Sequence, residues 1–202
     1  GYSQLVNRQA VLLAPKTSSY QFFANLLAER ALAPALDIEK DFWLSQVEKA
    51  VEPLPVDHKG FKDNTFATSK TLAFELDPEF TTLLTTSSNK PYQTKVEELL
   101  LAALSNAMQL WAGSDKLRLD LESHGREEVE PGVDLTGTIG WFTSIYPICL
   151  ETNNGSVNEL IKSIKEQVRI VPANGINFGL LSQFGKDCGQ VSGEFGTRSP
   201  IL

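Results

Sequence analysis

The run Leu121-Glu122-Ser123-His124-Gly125-Arg126-Glu127 sets a carboxylate, an imidazole and a guanidinium where a strand breaks into a turn. Glu122, at the strand end beside Gly125, can serve as a general base if burial raises its pKa. Left exposed, it is one more acid in the charged row of Arg118 and Asp120. His124 can also act as a base, or it can hold the turn by donating to a backbone carbonyl. Arg126 followed by Glu127 and Glu128 is most simply a local ion-pair cluster. Further on, Thr138-Ile139-Gly140-Trp141-Phe142-Thr143-Ser144-Ile145-Tyr146-Pro147 is an aromatic-rich entry into a second strand. Trp141 and Phe142 suit a core or pocket wall better than a stacking platform for bases. No Gly-rich phosphate loop, metal-spaced His cluster, nucleophile elbow or pyridoxal-phosphate signature occurs, so the residues indicate neither a cofactor site nor a metal site.

These groups must be held by the elements around them. Leu117, Leu119 and Leu121 alternate with Arg118, Asp120 and Glu122, which predicts a strand with its leucines inward and its charges on the other face. Phe142 to Leu150 predicts a second strand, with Pro147 marking an edge or a bulge. Before them, a capping box of Thr94 and Glu97 opens a long helix. Its inner face is read as Val96, Leu99, Leu100, Ala103, Leu104, Ala107, Met108 and Trp111, and Gly113 stops it.

Nearer the N-terminus, Ser18 and Gln21 open a helix bearing Tyr20, Phe23, Leu27 and Ala31. Asp37 caps another with Ile38, Phe42, Val47 and Val51 inward, ended by Pro53 and Pro55. Val56 to Ser69 reads as a loop. Leu72, Phe74 and Leu76 predict a strand with one buried face, and Asp77-Pro78 opens a short helix through Leu84. After the second strand, Ser156 and Glu159 cap a helix carrying Leu160, Ile161, Ile164 and Val168. Gly175 to Leu181 reads as a further strand, and the tail beyond Ser182 is polar and Gly-rich. The resulting fold class is α/β, a layered αβ sandwich with helices packed on a mixed sheet.

With 202 residues, 42% hydrophobic and 21% charged, the chain suits one globular domain or a large subdomain. No apolar run reaches the roughly 20 residues needed to span a bilayer, so no membrane partner is expected. The net charge of −7 argues against nucleic acid as a partner. Cys149 and Cys188 lack metal-ligand spacing and read as free thiols in a reducing cytosol, which gives a cytoplasmic expectation. Gly1 to Ala10 has no apolar h-region and reads as a processed or cut start.

Taken together, the Glu122 run and the Trp141 run resemble the Glu-Gly-His-Gly-Arg-Glu and Arg-Thr-Val-Gly-Trp-Phe-Thr-Ser motifs of the epimerization domains of nonribosomal peptide synthetases. That family is a branch of the condensation-domain superfamily with a chloramphenicol acetyltransferase-like fold. Further segments carry the same resemblance. Leu13-Ala14-Pro15-Lys16-Thr17-Ser18-Ser19-Tyr20 is similar to the family's Leu-Pro-x-Lys-Thr-x-Ser segment, and Phe42-Trp43 to its tyrosine–tryptophan pair. Tyr92-Gln93-Thr94 through Leu99-Leu100-Leu101-Ala102-Ala103-Leu104 resembles its Leu-rich helix. Pro172-Ala173-Asn174-Gly175-Ile176-Asn177-Phe178-Gly179 resembles its Pro-x-x-Gly-x-x-Tyr/Phe-Gly motif. Condensation domains usually carry Gly-x-Phe-x-Asn-x-x-Pro where this chain has Gly140 to Pro147, a difference that favours epimerization. Ser123 stands in place of a glycine and Gly137 in place of an arginine. The Phe-Asn-Tyr-Leu-Gly segment that closes the family's domains has no counterpart here.

The resemblance implies one half of a V-shaped fold of two αβ subdomains: a C-terminal subdomain over residues 1–181, followed by an atypical Gly-rich tail over 182–202. The implied reaction inverts Cα of an aminoacyl or peptidyl thioester carried on the phosphopantetheine of a carrier protein, with no directly bound cofactor. It implies that Glu122 removes or returns the proton, that His124 and Arg126 shape the loop, and that Trp141, Phe142 and Thr143 line the substrate tunnel. The family's His-His-x-x-x-Asp motif is absent from this sequence. An N-terminal half of the epimerization domain is therefore an expected partner beside the peptidyl carrier protein, and the chain alone is expected to be nearly inactive. An incompletely covered subdomain face leaves room for self-association. The competing readings are a non-catalytic half-domain that docks a carrier protein or braces a synthetase, and a condensation domain that forms peptide bonds.

Overall fold

The computed structural model describes residues 1–57, 65–153 and 155–184. In chain order its helices are α1 (Tyr2–Val6), α2 (Tyr20–Ala31), α3 (Lys40–Glu48), α4 (Pro78–Thr85), α5 (Val96–Ala112), α6 (Val157–Arg169) and α7 (Ile176–Phe184). Its strands, β1 (Lys116–Ser123) and β2 (Ser144–Glu151), form a two-stranded sheet. The Thr152 amide donates to the Asp115 carbonyl at 2.8 Å, so the end of β2 meets the start of β1 and the pair is antiparallel. This is the expected α/β class. The further strands that would make the sheet mixed do not occur among the described residues. Cys188 and the tail beyond Phe184 lie outside those residues, as do residues 58–64 of the loop read over Val56 to Ser69.

The chain divides into two compact units. One comprises Asp41–Leu121 and Pro147–Pro172. Its core gathers Trp43, Val47, Leu101, Leu119, Ile148, Leu150 and Ile164, all buried. The alternation in β1 puts Leu117, Leu119 and Leu121 inside, as expected.

Arg118 departs from its predicted exposed face. It is only 7% exposed, and its guanidinium donates to the carbonyls of Val47 (2.8 Å) and Lys49. These acceptors sit at the C-terminus of α3, where helix carbonyls lack intrahelical partners and the dipole favours a cation. The free edge of β2 is closed in a related way. Gln46 accepts from the Cys149 amide at 3.2 Å. Two residues on, Gln167 of α6 both accepts from the Glu151 amide and donates to the Glu151 carbonyl, each at 2.8 Å. Two side-chain amides thus stand in for a missing neighbour strand, consistent with Pro147 marking an edge. Burial also pushes the Cys149 thiol above its ordinary pKa, against the opposing pull of Lys49 and Arg118. This thiol is a core group rather than a nucleophile.

Helix α5 turns a different face inward from the one predicted. Glu98, Leu101, Ala102 and Ser105 are its buried residues, while Leu100, Ala103, Leu104, Ala107 and Trp111 are not buried. Burial of Glu98 is made possible by α6, which packs against α5. Arg169 donates to both Glu98 oxygens, at 2.7 and 3.2 Å, and the carboxylate also accepts from the Lys95 amide at 2.7 Å. The capping acid is therefore Glu98, one residue later than predicted. Gly113 ends the helix in the left-handed region with φ +72°, as predicted.

The predicted strand at Leu72, Phe74 and Leu76 does not form. The segment has no ladder partner among the described residues, and Phe74 is 87% exposed. α4 follows on its Asp77 cap, with the Phe80 amide donating to Asp77 Oδ1 at 2.8 Å. α6 starts on the predicted Ser156–Glu159 box.

The second unit comprises Gly1–Lys40, Glu122–Tyr146 and the described residues from Ala173 on. Phe23, Leu135 and Ile176 form its core, with Leu27, Val129, Val133 and Phe142 packed around them. Helices α2 and α7 lie against each other. Ser19, not Ser18, caps α2, accepting from the Phe22 amide at 3.1 Å. Ser18 instead exchanges hydrogen bonds with the Asp134 backbone. The helix read from Asp37 begins as a 3-10 turn over Pro34–Glu39, and its Ile38 points outward rather than inward.

The segment read as a strand over Gly175 to Leu181 is helix α7. A backbone at φ +82° turns the chain at Gly175, where a Cβ would fall 1.9 Å from the Tyr146 ring. Buried Asn177 then ties the helix down, accepting from Arg30 Nε at 2.9 Å and donating to Glu39 at 2.7 Å. With Ile176 and Leu180 inward at a four-residue spacing, helical periodicity prevails over the short apolar run.

Candidate active site

The second unit holds every residue singled out in the sequence as a site candidate. Glu122 stands near the end of β1, exposed, its carboxylate without a hydrogen bond or ion pair among the described residues. Immediately after it the chain turns at Gly125. Two conditions require glycine there: φ is +65°, and a Cβ would lie 1.6 Å from the Phe142 carbonyl oxygen. The Glu122 turn is thereby pressed onto the backbone of the Trp141-Phe142-Thr143-Ser144 segment.

Side chains lock the same contact. The Arg126 guanidinium lies 4.0 Å from the centroid of the Phe142 ring and donates to the Leu135 carbonyl. His124 accepts at Nδ1 from the Arg126 amide at 3.0 Å, and its Nε2 is 3.5 Å from Glu127 Oε1. Glu127 is held in turn by Ser123 Oγ (3.3 Å) and by Asn174 Nδ2 (2.8 Å). Since Nδ1 is an acceptor, the proton of neutral His124 sits on Nε2, facing Glu127. His124 and Arg126 are thus parts of the turn's own framework. The ion-pair cluster read for Arg126 with Glu127 and Glu128 does not form: Arg126 goes to a ring and a carbonyl, and Glu127 pairs with His124.

Trp141 is 81% exposed, so it belongs to the rim rather than to the core. Its carbonyl accepts from Tyr20 Oη at 3.0 Å. Tyr20 and Phe23 of α2 pack on Phe142 with ring centroids 5.1 and 5.5 Å away. Thr138 Oγ1 donates to the Ser18 carbonyl at 2.6 Å and lies 2.7 Å from Thr17 Oγ1, which joins the Lys-Thr-Ser-Ser segment to the aromatic one.

Behind the rim opens a cavity of about 410 Å³. Trp141, Phe142 and Thr143 line it together with Ser144, Tyr20 and Leu27 on one side and Ile176, Gly179, Leu180 and Phe184 of α7 on the other. The volume falls in the range of small-molecule sites. Sequence reasoning misses the α7 wall because that segment has the pattern of a short strand. It misses Glu127 and Asn174 as partners because they are distant in sequence. Among the described residues no three His, Cys, Asp or Glu side chains converge to hold a metal, and no helix is long and apolar enough to cross a membrane.

The condensation-domain family model matches residues 1–195. A component of the linear gramicidin synthase of Brevibacillus parabrevis is 40% identical over 189 residues, covering 92% of this chain and 2% of that protein. Bacitracin synthase 3 from Bacillus licheniformis is 38% identical over 205 residues, covering 100% of this chain and 3% of its own length. The chain thus spans a small fraction of these relatives. Among solved structures, the epimerization domain from the third module of tyrocidine synthetase B superposes with a TM-score of 0.81 at 32% identity, over 92% of this chain and 41% of that one. The expected chloramphenicol acetyltransferase-like fold is the fold of these neighbours. The chain belongs to the condensation-domain family.

Proposed function

We propose that this chain is the C-terminal subdomain of a nonribosomal peptide synthetase epimerization domain, with its boundary near residue 181. The observation that carries the reading is the fixed contact of the Glu122 turn with the Trp141-to-Ser144 segment through Gly125 and Phe142. That contact holds a carboxylate and an aromatic rim on one framework. The likeness to a solved epimerization domain supports the same reading.

The substrate is an aminoacyl or peptidyl thioester on the phosphopantetheine of a peptidyl carrier protein, in the cytoplasm. The thioester carbonyl acidifies the Cα–H bond. Glu122 takes the α-proton, and the electron pair of the broken bond moves into an enolate on the thioester oxygen. Return of a proton to the opposite face restores the carbonyl and inverts Cα. The proton partner on that face is a histidine of the N-terminal half. Glu122 suits the role because no partner among the described residues occupies its oxygens, which leaves it open to substrate. Trp141, Phe142 and Thr143 border the reacting centre, and His124 and Arg126 keep the turn in place.

The test is deuterium uptake at Cα of a carrier-bound aminoacyl thioester in D₂O, read by mass spectrometry. It compares the chain alone, the chain with an N-terminal half, and that pair with Glu122→Gln. Uptake that needs both halves and falls about 10²–10⁴-fold in the variant is expected. A well-folded pair that shows no uptake would leave a docking or scaffold role.

A further inference from the structure

Every residue from Thr65 to Leu83 is exposed, although this stretch carries Leu72, Phe74, Leu76 and Phe80. Within it, the main chain of Lys70 to Leu76 makes no hydrogen bond among the described residues. Leu72, Phe74 and Leu76 alternate with Thr71, Ala73 and Glu75, the pattern of a strand with one apolar face. Helix α4, which follows, buries none of its residues. A helix so short is marginal in water without a surface to pack on. The stretch thus has the pattern of a packed element and no packing.

The sheet of the same unit is open on one side. The Thr152 amide bonds the Asp115 carbonyl, so Leu117 stands opposite Leu150 and Leu119 opposite Ile148 in the antiparallel pair. The main-chain groups of the residues in between point outward from the pair. On β2 they are met: Gln46 reaches Cys149, and Gln167 reaches Glu151. On β1 Lys116 is met by Ser114 Oγ. The outward amides and carbonyls of Arg118 and Asp120 have no partner among the described residues, and no third strand lies beside them there. Asp120 is exposed. An open edge of this kind is a template for another strand.

We infer that residues Thr71 to Leu76 of one chain add as a third strand to the outer edge of β1 in a second copy, reciprocally, so that two chains pair about a two-fold axis. Alternation and charge set the direction. Run antiparallel, Leu72, Phe74 and Leu76 lie opposite Leu121, Leu119 and Leu117 and extend the leucine face of β1. Glu75 then faces Arg118, and Ala73 exchanges both main-chain bonds with Asp120. Run parallel, Glu75 comes beside Asp120, and like charges on neighbouring strands are destabilising. A second copy is the occupant because the segment and the edge both stand unpaired within one chain, and a reciprocal exchange satisfies both in each copy. The inference does not depend on the epimerase reading.

The experiment is sedimentation velocity on the full chain over about a hundredfold range of concentration, since mass action governs a dimer. A reversible monomer–dimer equilibrium is expected. Ala73→Pro removes the amide that would bond Asp120 at an exposed position whose main chain is otherwise unpaired, so the monomer should keep its fold. The dimer should weaken about tenfold, the worth of one hydrogen bond. Phe74→Asp should weaken it through the lost apolar contact, and Glu75→Lys by setting a cation opposite Arg118. Circular dichroism checks each fold. Hydrogen exchange should show the Ala73 and Asp120 amides protected in the dimer and open in the dilute monomer. A chain that stays monomeric throughout, or a dimer indifferent to both Ala73→Pro and Phe74→Asp, overturns the inference. A dimer strengthened by Glu75→Lys overturns the antiparallel register. Protection of Ala73 and Asp120 in the monomer would mean that the segment closes on its own chain, which removes the second copy as its occupant.

Discussion

The Gly125 backbone approaches Phe142 so closely that any Cβ on residue 125 would sit 1.6 Å from the Phe142 carbonyl oxygen. The candidate turn and the aromatic rim therefore form one structural piece. Gly125→Ala has to move the strand end, and it is expected to cost more than about 2 kcal/mol, with strain and lost packing combined. Gly132→Ala is the matched control: φ there is +86°, but a Cβ would meet nothing within 4 Å. It carries the left-handed penalty alone, about 1 kcal/mol. Urea unfolding of both variants isolates the clash as the difference. Equal losses would remove the close approach from the account of this turn.

Glu98 and Arg169 give stability a definite dependence on pH. Burial on its own raises the Glu98 pKa, but the hydrogen bond from Arg169, the Lys95 amide and the charges of Arg169 and Lys95 outweigh it and hold the carboxyl below its ordinary value. A carboxyl depressed in the folded state contributes stability above its unfolded pKa and loses it as pH falls through the folded one. The chain should therefore weaken on acidification below the usual carboxylate range. In Arg169→Met, burial of Glu98, only 2% exposed, is opposed by fewer partners. The variant should be less stable at neutral pH, by less than a fully buried pair would cost because Arg169 is itself exposed. Its loss on acidification should be smaller than in the parent chain. Thermal melts across about pH 3 to 7, a window set by the ordinary carboxylate range, check both parts. An unchanged acid profile in Arg169→Met would show that other carboxylates govern it.

The same pair explains why some of the fold is legible in the sequence and some is not. Alternation of Leu117, Leu119 and Leu121 announces β1 because one face of that strand is fully apolar. α5 announces its existence and its Gly113 stop, but not its orientation. Apolar residues lie on two of its faces, and the buried one contains Glu98 and Ser105; burial of Glu98 depends on Arg169 from a distant helix. Arg118 escapes assignment for the same reason: its acceptors, Val47 and Lys49, are far away in sequence. α7 has the pattern of a strand because a short apolar run carries too few turns for a helical period, and the Asn177 bonds that settle it come from Arg30 and Glu39. At the candidate site, Glu122, His124 and Arg126 are visible as types at a spacing. The cavity is not, since it depends on α2 and α7 lying together.

Arg118 supplies a second stability test. Its guanidinium satisfies two carbonyls at the end of α3 from within the core. Arg118→Met keeps much of the apolar stem and removes the donors, leaving the carbonyls of Val47 and Lys49 without this partner. A loss of about 2–3 kcal/mol in urea unfolding is expected. Arg118→Lys should recover part of it, because an ammonium keeps the charge near the helix C-terminus but not the two-pronged geometry. If Arg118→Met were neutral, the buried guanidinium would have been offset by apolar packing, as some buried charges are.

Arg126 and Phe142 couple the candidate turn to the aromatic rim through a contact that can be measured as such. The guanidinium sits 4.0 Å from the ring centroid while also bonding the Leu135 carbonyl. Arg126→Ala removes both interactions, and Phe142→Leu removes the ring while keeping an apolar side chain. A double-mutant cycle isolates the shared part, expected at about 0.5–2 kcal/mol for a cation held over a partly buried ring. Phe142 also meets Tyr20 and Phe23, so its single substitution should cost more than the coupling energy alone. Each variant should also loosen the rim, read in a Trp111→Phe background as a change in the emission of the exposed Trp141 against the buried Trp43. A cycle that closes to within about 0.3 kcal/mol, the additivity expected of independent sites, would mean that Arg126 supports the turn through Leu135 only and leaves the rim to the aromatic cluster.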